Sequence, residues 1–467
     1  MKRQSEFRYS KLAAILREQI LSGFIKPGEF LMSENELTKY YEISRTSVRK
    51  SLDELAKEGL IIKKPGQGTL VSPDLKIEKN KKKVLRIIAT APSYFVDASM
   101  SMLIDRFQES HPNVEVKMMN FPRFTFWDSV RESLEMGLEP DLLLITEQQF
   151  QEAAFQMDEL INLKDVLGGR TSDVYPKMIQ SFMQGEELKA LPVTFSPVYL
   201  AYNPELFRLH GVEEPAPGWN KQDFIQTAKR LTLDTDHDGI VDLYGFSLTS
   251  STSRWPVIAL QNQVHFHENP SASEIEKTLN FIHDLVHRER VATLFQPVRD
   301  LKSSAFMNRK SAMVLTTSIE LAGWRNLGMD FTPKVAALPF GDHKSTLLVS
   351  NVFVLPARSA NPDLAQLFLH HIFQADIQQQ ISIQSNFHSI FHSINEQVWQ
   401  QHELESLNII KGNIDNSYFL FELFSDPQQA FELERELELF WAGLENAGDA
   451  AVRLHKLFRN SSAADSL

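Results

Sequence analysis

Residues 28–71 read GEFLMSENELTKYYEISRTSVRKSLDELAKEGLIIKKPGQGTLV, and this stretch decides the fold of the N-terminal part of the chain. Ser33 opens a short helix. Glu36, three residues on, completes a capping box in which the serine accepts from the first turn and the glutamate reaches back. The helix closes near Tyr41, Glu42-Ile43 makes a tight corner, and Ser44 caps a second helix. In that second helix Val48, Leu52 and Leu55 form one apolar stripe, while Arg45, Thr46, Arg49 and Lys50 face the other way. Two short helices across a corner, the second offering cations and hydroxyls from its first turns, have the geometry of a recognition helix entering a major groove. Its N-terminus adds partial positive charge suited to phosphates. Upstream, Tyr9, Leu12, Leu16 and Ile20 recur at helical spacing, and Gly23 with Pro27-Gly28 ends that helix. Downstream, Leu60–Lys64 and Thr69–Val71 flank Pro65-Gly66-Gln67-Gly68, which reads as a β-hairpin or wing. Its glycine tip can approach a nucleic-acid backbone closely because no Cβ intervenes. Gly66-Gln67-Gly68 is not a dinucleotide loop, since no βαβ unit surrounds it and the third glycine is missing.

The charge distribution points the same way. Residues 1–83 carry 18 Lys and Arg against 11 Asp and Glu, which leaves 30 against 49 in the remainder of a chain whose net charge is −12. A basic head on an acidic body fits a head that meets a polyanion. The length of 467 residues, at about 150 per domain, leaves room for a small module and a two-lobed larger one. With no cysteine, disulfides, thiol catalysis and thiolate metal sites are excluded. The first residues carry Lys2, Arg3, Glu6, Arg8, Lys11, Arg17 and Glu18 without an apolar run, so no secretory signal is read. No stretch approaches about eighteen consecutive apolar residues, so no membrane span is expected and the expected location is cytoplasmic.

The runs Gly28–Glu34, Ile43–Arg49, Gly59-Leu60-Ile61 and Gly66–Val71 closely resemble the winged helix-turn-helix of GntR-family regulators. The resemblance covers about 70 residues, departing at Met32 and Leu70, neither on the expected contact face. It implies that Arg45, Thr46 and Arg49 reach bases or phosphates, that Ser33, Ser44 and Ser47 fix register on the DNA backbone, and that Gly66 lies against the minor groove. Residues 1–72 are therefore taken as an α+β DNA-binding domain, and 73–83, with Pro73 and Lys79–Lys83, as a linker.

The body, residues 84–467, opens on the apolar run Val84, Leu85, Ile87, Ile88. A helical stretch over 100–109, a strand at Val114–Met118, a further helix and the run Leu142–Thr146 follow, which indicates an α/β unit with a mainly parallel sheet. Ligands gather beyond the carboxyl ends of such strands, which puts Ser93, Tyr94, Phe95, Thr146 and Glu147 on the ligand side. Leu191–Asn203 reads as a crossing between lobes. Together with Trp219, Leu233–Phe246, Phe306–Met313 and Leu338–Gly341, the order is similar to extracellular solute-binding proteins of the sugar-binding, periplasmic-binding-protein-like family. That resemblance implies two α/β lobes closing on a carbohydrate. Sugars are held by aromatic faces and planar polar groups, so Tyr94, Phe95, Phe195, Trp255 and Trp324 are candidate stacking residues. Glu147, Arg254 and Thr317 are candidate hydrogen-bonding ones, and Trp219 is assigned to the core.

Asp234, Asp236, Asp238, Gly239, the carbonyl of Ile240 and Asp242 match the first nine positions of a calcium loop, but Gly245 stands where a bidentate glutamate would close it. Any ion there would be structural, and no cofactor is required. His283/His287 and His388/His392 sit one helical turn apart without a third ligand and are read as helix-face residues. No HExxH, GxSxG or P-loop is present, so the chain is read as a non-enzyme. The reading is a DNA-binding transcriptional regulator, a repressor acting as a homodimer on double-stranded operator DNA, with a small carbohydrate effector in the body. The alternatives are a cytoplasmic sugar-binding protein without specific DNA binding and an enzyme acting on a carbohydrate.

Overall fold

The computed structural model describes residues 12–464 apart from 14, 18, 22–23, 42, 65, 76–81, 157–158, 296–303, 411 and 425–426. Tyr9, Gly23, Glu42, Pro65 and Lys79–Lys81 lie outside the described residues.

The head forms as the sequence dictates. Leu12, Leu16 and Ile20 are helical and buried with Phe24 and Ile25. Helix α1 (Glu34–Tyr40) starts from the expected capping box: Ser33 Oγ accepts from the Glu36 amide at 3.3 Å, and the Glu36 carboxylate accepts from the Ser33 amide. Helix α2 (Arg45–Lys57) is capped by Ser44, which accepts from the Ser47 amide at 3.2 Å. Val48, Leu52 and Leu55 are fully buried, each contributing about 1.5–3 kcal/mol relative to exposure. The wing is β1 (Ile61–Lys64) antiparallel to β2 (Gly68–Val71), with Ile61 opposite Val71. Gly66 and Gly68 take positive φ at its tip, conformations that disfavour side chains.

The body has two lobes. Lobe one is built on β3 (Lys83–Ala91), α3 (Ser101–Ser110), β4 (Val114–Pro122), α4 (Phe126–Glu135), β5 (Leu142–Thr146) and α5 (Glu147–Gln156). Leu85, Ile87, Ile88 and Ala89 of β3 are all buried, as expected of a strand covered on both faces. β6 (Leu191–Pro197) completes this side, and after Val198 the chain passes into β7 (Tyr199–Tyr202) of lobe two. Lobe two adds β8 (Tyr244–Thr249), β9 (Ala292–Phe295), β10 (Ser311–Thr316), α6 (Ser318–Asn326) and β11 (Lys334–Ala336) before β12 (Leu347–Val354) returns to lobe one. Helices α7 (Pro427–Glu436) and α8 (Ala447–Ala464) pack their apolar faces into the core of lobe two.

The larger sheet runs His388–Ser389, β6, β12, β5, β3, β4, with Tyr418–Phe419 paired to β12; the smaller runs β9, β8, β10, β7, β11. Both are mixed rather than mainly parallel. β3 is parallel to β4 and β5, but β12 is antiparallel to β5 and β6, and β7 is antiparallel to β10 and β11. The antiparallel members are the strands that cross between lobes, which enter each sheet from the side opposite to a βαβ crossover. Among the described residues, no helix is long and apolar enough to cross a membrane.

Beside the crossing, His388 pairs with Phe195 of β6, lies 3.3 Å from Ser318 Oγ through Nδ1, and packs on Trp399. Complete burial pushes its imidazole down to about 3. Folded, it stays neutral. Unfolded, it takes a proton below its ordinary value of 6.5. Stability contributed by this site should therefore fall as pH drops from 6.5 toward 3, by about 1.4 kcal/mol per pH unit for one proton. Urea unfolding of the protein and of His388→Gln at pH 7 and pH 5 should show a smaller loss for the variant; equal losses would show that His388 does not set the slope.

Candidate functional site

On α2 the side chains of Arg45, Thr46, Arg49 and Lys50 are exposed together, opposite the buried stripe. Glu34 of α1 holds two of them: Arg49 Nε lies 2.8 Å and Arg45 Nε 3.4 Å from Glu34 Oε2. The hydrogen bond from Arg49, aided by that from Arg45, holds the Glu34 carboxyl below its ordinary value. A phosphate or guanine edge competes with this carboxylate for both guanidinium groups. Ser33 and Ser44 are exposed caps, and Gly66 is exposed at the wing tip. Ser47 departs from expectation: it is buried, its Oγ 2.9 Å from Ser44 Oγ, because it shares the inward side of α2 with Ser51. It supports the cap and is not on the exposed face.

Between the lobes lies a cleft of about 930 Å³. Its first wall is the loop after β4 with α4, from Arg123 to Arg131, and the start of α5, from Gln148 to Glu152. Its second wall is the loop after β8, Thr249–Arg254, with Leu315 and Glu320, and its third is the C-terminal stretch from Leu420 to Trp441. Of the ten residues expected at the ligand, Thr146 and Arg254 line this cleft. Thr146 is fixed at the end of β5 by Gln149, whose Oε1 accepts from its amide at 3.0 Å. Arg254 is almost fully buried in a 2.7 Å ion pair with Glu320, whose other oxygen accepts from Thr316.

The other eight are not among the residues that line it. Ser93 caps the turn behind β3 by accepting from the Val96 amide, and Phe95 is buried against Phe387. Tyr94 lies across Gly323 of α6, where a Cβ would fall 2.1 Å from its ring, so that position must be glycine. Glu147 is buried, pushed up by that burial, and accepts from the Ser350 amide at 3.1 Å. Phe195 packs between Tyr175 and His388, and Thr317 caps α6. Trp324 lies against Phe306, and Trp255 is fully buried between Phe266 and Trp441. Phe95 and Trp255, the large side chains that follow β3 and β8, are both fully buried. Trp219, assigned to the core, packs on lobe two and donates Nε1 to the Ala337 carbonyl.

The cleft instead presents Phe124 and Phe431, 86% and 69% exposed, with Trp127, Phe421 and Trp441 behind them. Arg123, Gln148, Glu152, Glu434 and Arg435 stand among these rings. Burial pushes the Glu152 carboxyl up. The run Pro122-Arg123-Phe124-Thr125-Phe126-Trp127 directly after a strand was a usable signal in the sequence; the return of residues 420–441 was not. Among the described residues that line the cleft there is no histidine or lysine. Flat apolar faces interleaved with planar donors and acceptors suit a polyhydroxylated ligand.

In the acidic loop, Asp234, Asp236 and Asp242 bring one carboxylate oxygen each to within 4.8 Å of one another. Asp238 does not join them, and its Oδ1 accepts from the Ile240 amide at 2.8 Å. The others also serve the turn: Asp234 accepts from Gly239, Asp236 from Asp238, and Asp242 from the amide and hydroxyl of Thr235. Gly245 lies on β8 against the Ala228 backbone and offers no ligand.

Residues 8–71 match the model of the bacterial regulatory proteins of the gntR family, and residues 93–379 match that of the bacterial extracellular solute-binding proteins. The chain belongs to the solute-binding protein family. It carries a GntR-type head in front of the solute-binding body. The chain is 36% identical over 99 residues to the arabinose metabolism transcriptional repressor of Halalkalibacterium halodurans, covering 20% of this chain and 26% of that one. It is 42% identical over 71 residues to an uncharacterized HTH-type transcriptional regulator of Bacillus subtilis, covering 15% and 29%. The chain thus spans about a quarter of the length of the curated relatives it matches. The solute-binding body has the fold of an ABC substrate-binding protein from Listeria monocytogenes in complex with cycloalternan. That match has a TM-score of 0.66 at 18% identity, covering 82% of this chain and 99% of that one. A Mycobacterium tuberculosis protein in complex with glycerophosphocholine matches equally in TM-score at 15% identity, again covering 82% and 99%.

Arg45→Ala and Arg49→Ala should each cost about 1–3 kcal/mol of duplex affinity at fixed salt. Glu34→Gln, which releases both guanidinium groups, should raise it. Fluorescence anisotropy on duplex DNA from upstream of the gene tests all three, and unchanged affinity in both arginine variants with intact folding would remove this face from the interface.

Proposed function

We propose that this chain is a ligand-responsive transcriptional regulator, a repressor that binds double-stranded operator DNA through its head and senses a small carbohydrate in the interlobe cleft. The observation that carries the reading is the presence, on one chain, of an exposed Arg45–Thr46–Arg49 face and a cleft walled by the exposed rings of Phe124 and Phe431. The repressor relatives that share the head support the direction of control, and the sugar complexes among the proteins of this fold support the ligand class. The reading includes a homodimer, as two-fold operators require, a cytoplasmic location and no catalytic step. The acidic loop is taken as a self-bonded turn, and any calcium it accepts serves structure alone.

Ligand that binds the closed lobes better than the open ones shifts their equilibrium, and DNA must change ligand affinity by the same factor as ligand changes DNA affinity. Anisotropy on upstream duplex DNA at fixed salt, with and without a panel of mono- and oligosaccharides, should find one sugar that alters binding. Phe124→Ala and Phe431→Ala should each raise the sugar concentration needed by about threefold to tenfold, the value of one aromatic contact. DNA binding that no sugar alters would overturn the ligand class, and absence of duplex binding would overturn the regulator.

A further inference from the structure

The cleft and the head share one segment of lobe one. Tyr40, the last residue of α1, donates its hydroxyl to the Asn120 carbonyl and sets its ring edge-on to Phe121 at 5.6 Å. Phe121 meets Phe126 at 6.3 Å, and Phe126 meets Trp127 at 5.1 Å. Phe126 and Trp127 line the cleft. A chain of ring contacts therefore runs from the head to the ligand wall. Helix α4 makes the same connection by a second route. Its first turns line the cleft, and Leu138, just past its end, is buried in the head's own apolar core with Leu16, Ile25 and Leu31.

The seat also carries charge. Glu132 of α4 is pushed up first by burial and then by Glu36 of α1, so like charges face each other across it, with Lys39 opposing. Arg45 and Arg49 stay outside the contact, more than half exposed, so the seated head keeps its DNA face open. Control by this contact would re-aim the head rather than cover it. A ten-residue helix, about 15 Å long, moves as a stiff rod, and packed cores pass displacement on rather than absorb it.

We infer that Phe121–Leu138 is the lever by which filling of the cleft repositions the DNA-binding head. The inference rests on the proposed function only in that the cleft takes a ligand, and its test replaces that ligand with a covalent probe. Because the chain has no cysteine, Phe431→Cys places a single thiol on the far wall of the cleft, to be labelled with fluorescein maleimide. Leu209→Cys, 73% exposed and outside the cleft, carries the same label as control. Hydrogen exchange of the full chain is read by mass spectrometry. The label at position 431 should change exchange in residues 27–41 by at least threefold, and the label at 209 should not. Adding Tyr40→Phe, which removes only the hydroxyl bonded to Asn120, should shrink the change in 27–41 while leaving that in 123–131. An unchanged head with the 431 label, or the same change with the 209 label, overturns the lever. Failure of every sugar to bind would overturn the ligand reading and leave this result standing.

Discussion

The amide of Val198 donates to the Leu347 carbonyl at 2.7 Å, and the Thr346 hydroxyl donates to the Val198 carbonyl at 2.6 Å. This reciprocal clasp ties together the two places where the chain passes between lobes, and the body depends on it. The larger sheet takes strands from both sides of lobe two, β6 before it and β12 after it, whereas the smaller sheet is built wholly from strands between the two crossings, with β7 carrying β10 and β11. Lobe two is thus an insertion into lobe one joined to it at two neighbouring crossings, so a cleft between the lobes follows from the topology. The amide of Ser318 adds a bond to Ser196 Oγ at the same point, seating the start of α6 on the crossing. Rotation of one lobe against the other must pass through a few residues, as hinge motions do.

Electrostatics divide the molecule in a second way. The head concentrates its cations on α2 and the wing but keeps a carboxylate, Glu34, between the two arginines that would meet DNA. These pairs are solvent-exposed and worth little to stability. Their effect is on DNA binding, since the Glu34 carboxylate competes with an arriving polyanion for both guanidinium groups. In the cleft the balance differs. Arg254 and Glu320 are nearly fully buried and paired with each other, so they act as a fixed polar floor, while Arg123, Glu434 and Arg435 are more exposed.

Local signals made the head legible almost residue by residue. Ser33 and Ser44 cap the helices they were expected to cap, because a capping box is a contact over three residues and needs no tertiary information. Ser47 was misplaced because contact-face and cap-support serines in a first helical turn look alike in sequence. In the body the order of strands and the crossing at 191–203 could be read from apolar runs, but sheet direction could not, since it depends on which lobe a strand comes from. The ligand site was the least legible part. A phenylalanine or tryptophan after a strand can turn toward the cleft, as Phe124 does, or back beneath the following helix, as Phe95 and Trp255 do, and composition does not separate the two.

The cleft's third wall explains why no local pattern could have found it. Residues 420–441 reach the cleft because Tyr418–Phe419 pairs with β12, which places the rest of the C-terminal segment over lobe two. Thr252 then fixes α7 to the β8 loop by giving both its amide and its hydroxyl to Glu434 at 2.9 Å. The second and third walls are therefore one body, and the first wall, from Arg123 to Glu152, belongs to the other. A ligand that touches Phe124 and Phe431 together bridges the two bodies, so its binding energy acts on the angle between them. The first wall is also the one on which the head sits. Whatever changes the angle between the lobes thus acts on the same segment of chain that holds the DNA-binding domain.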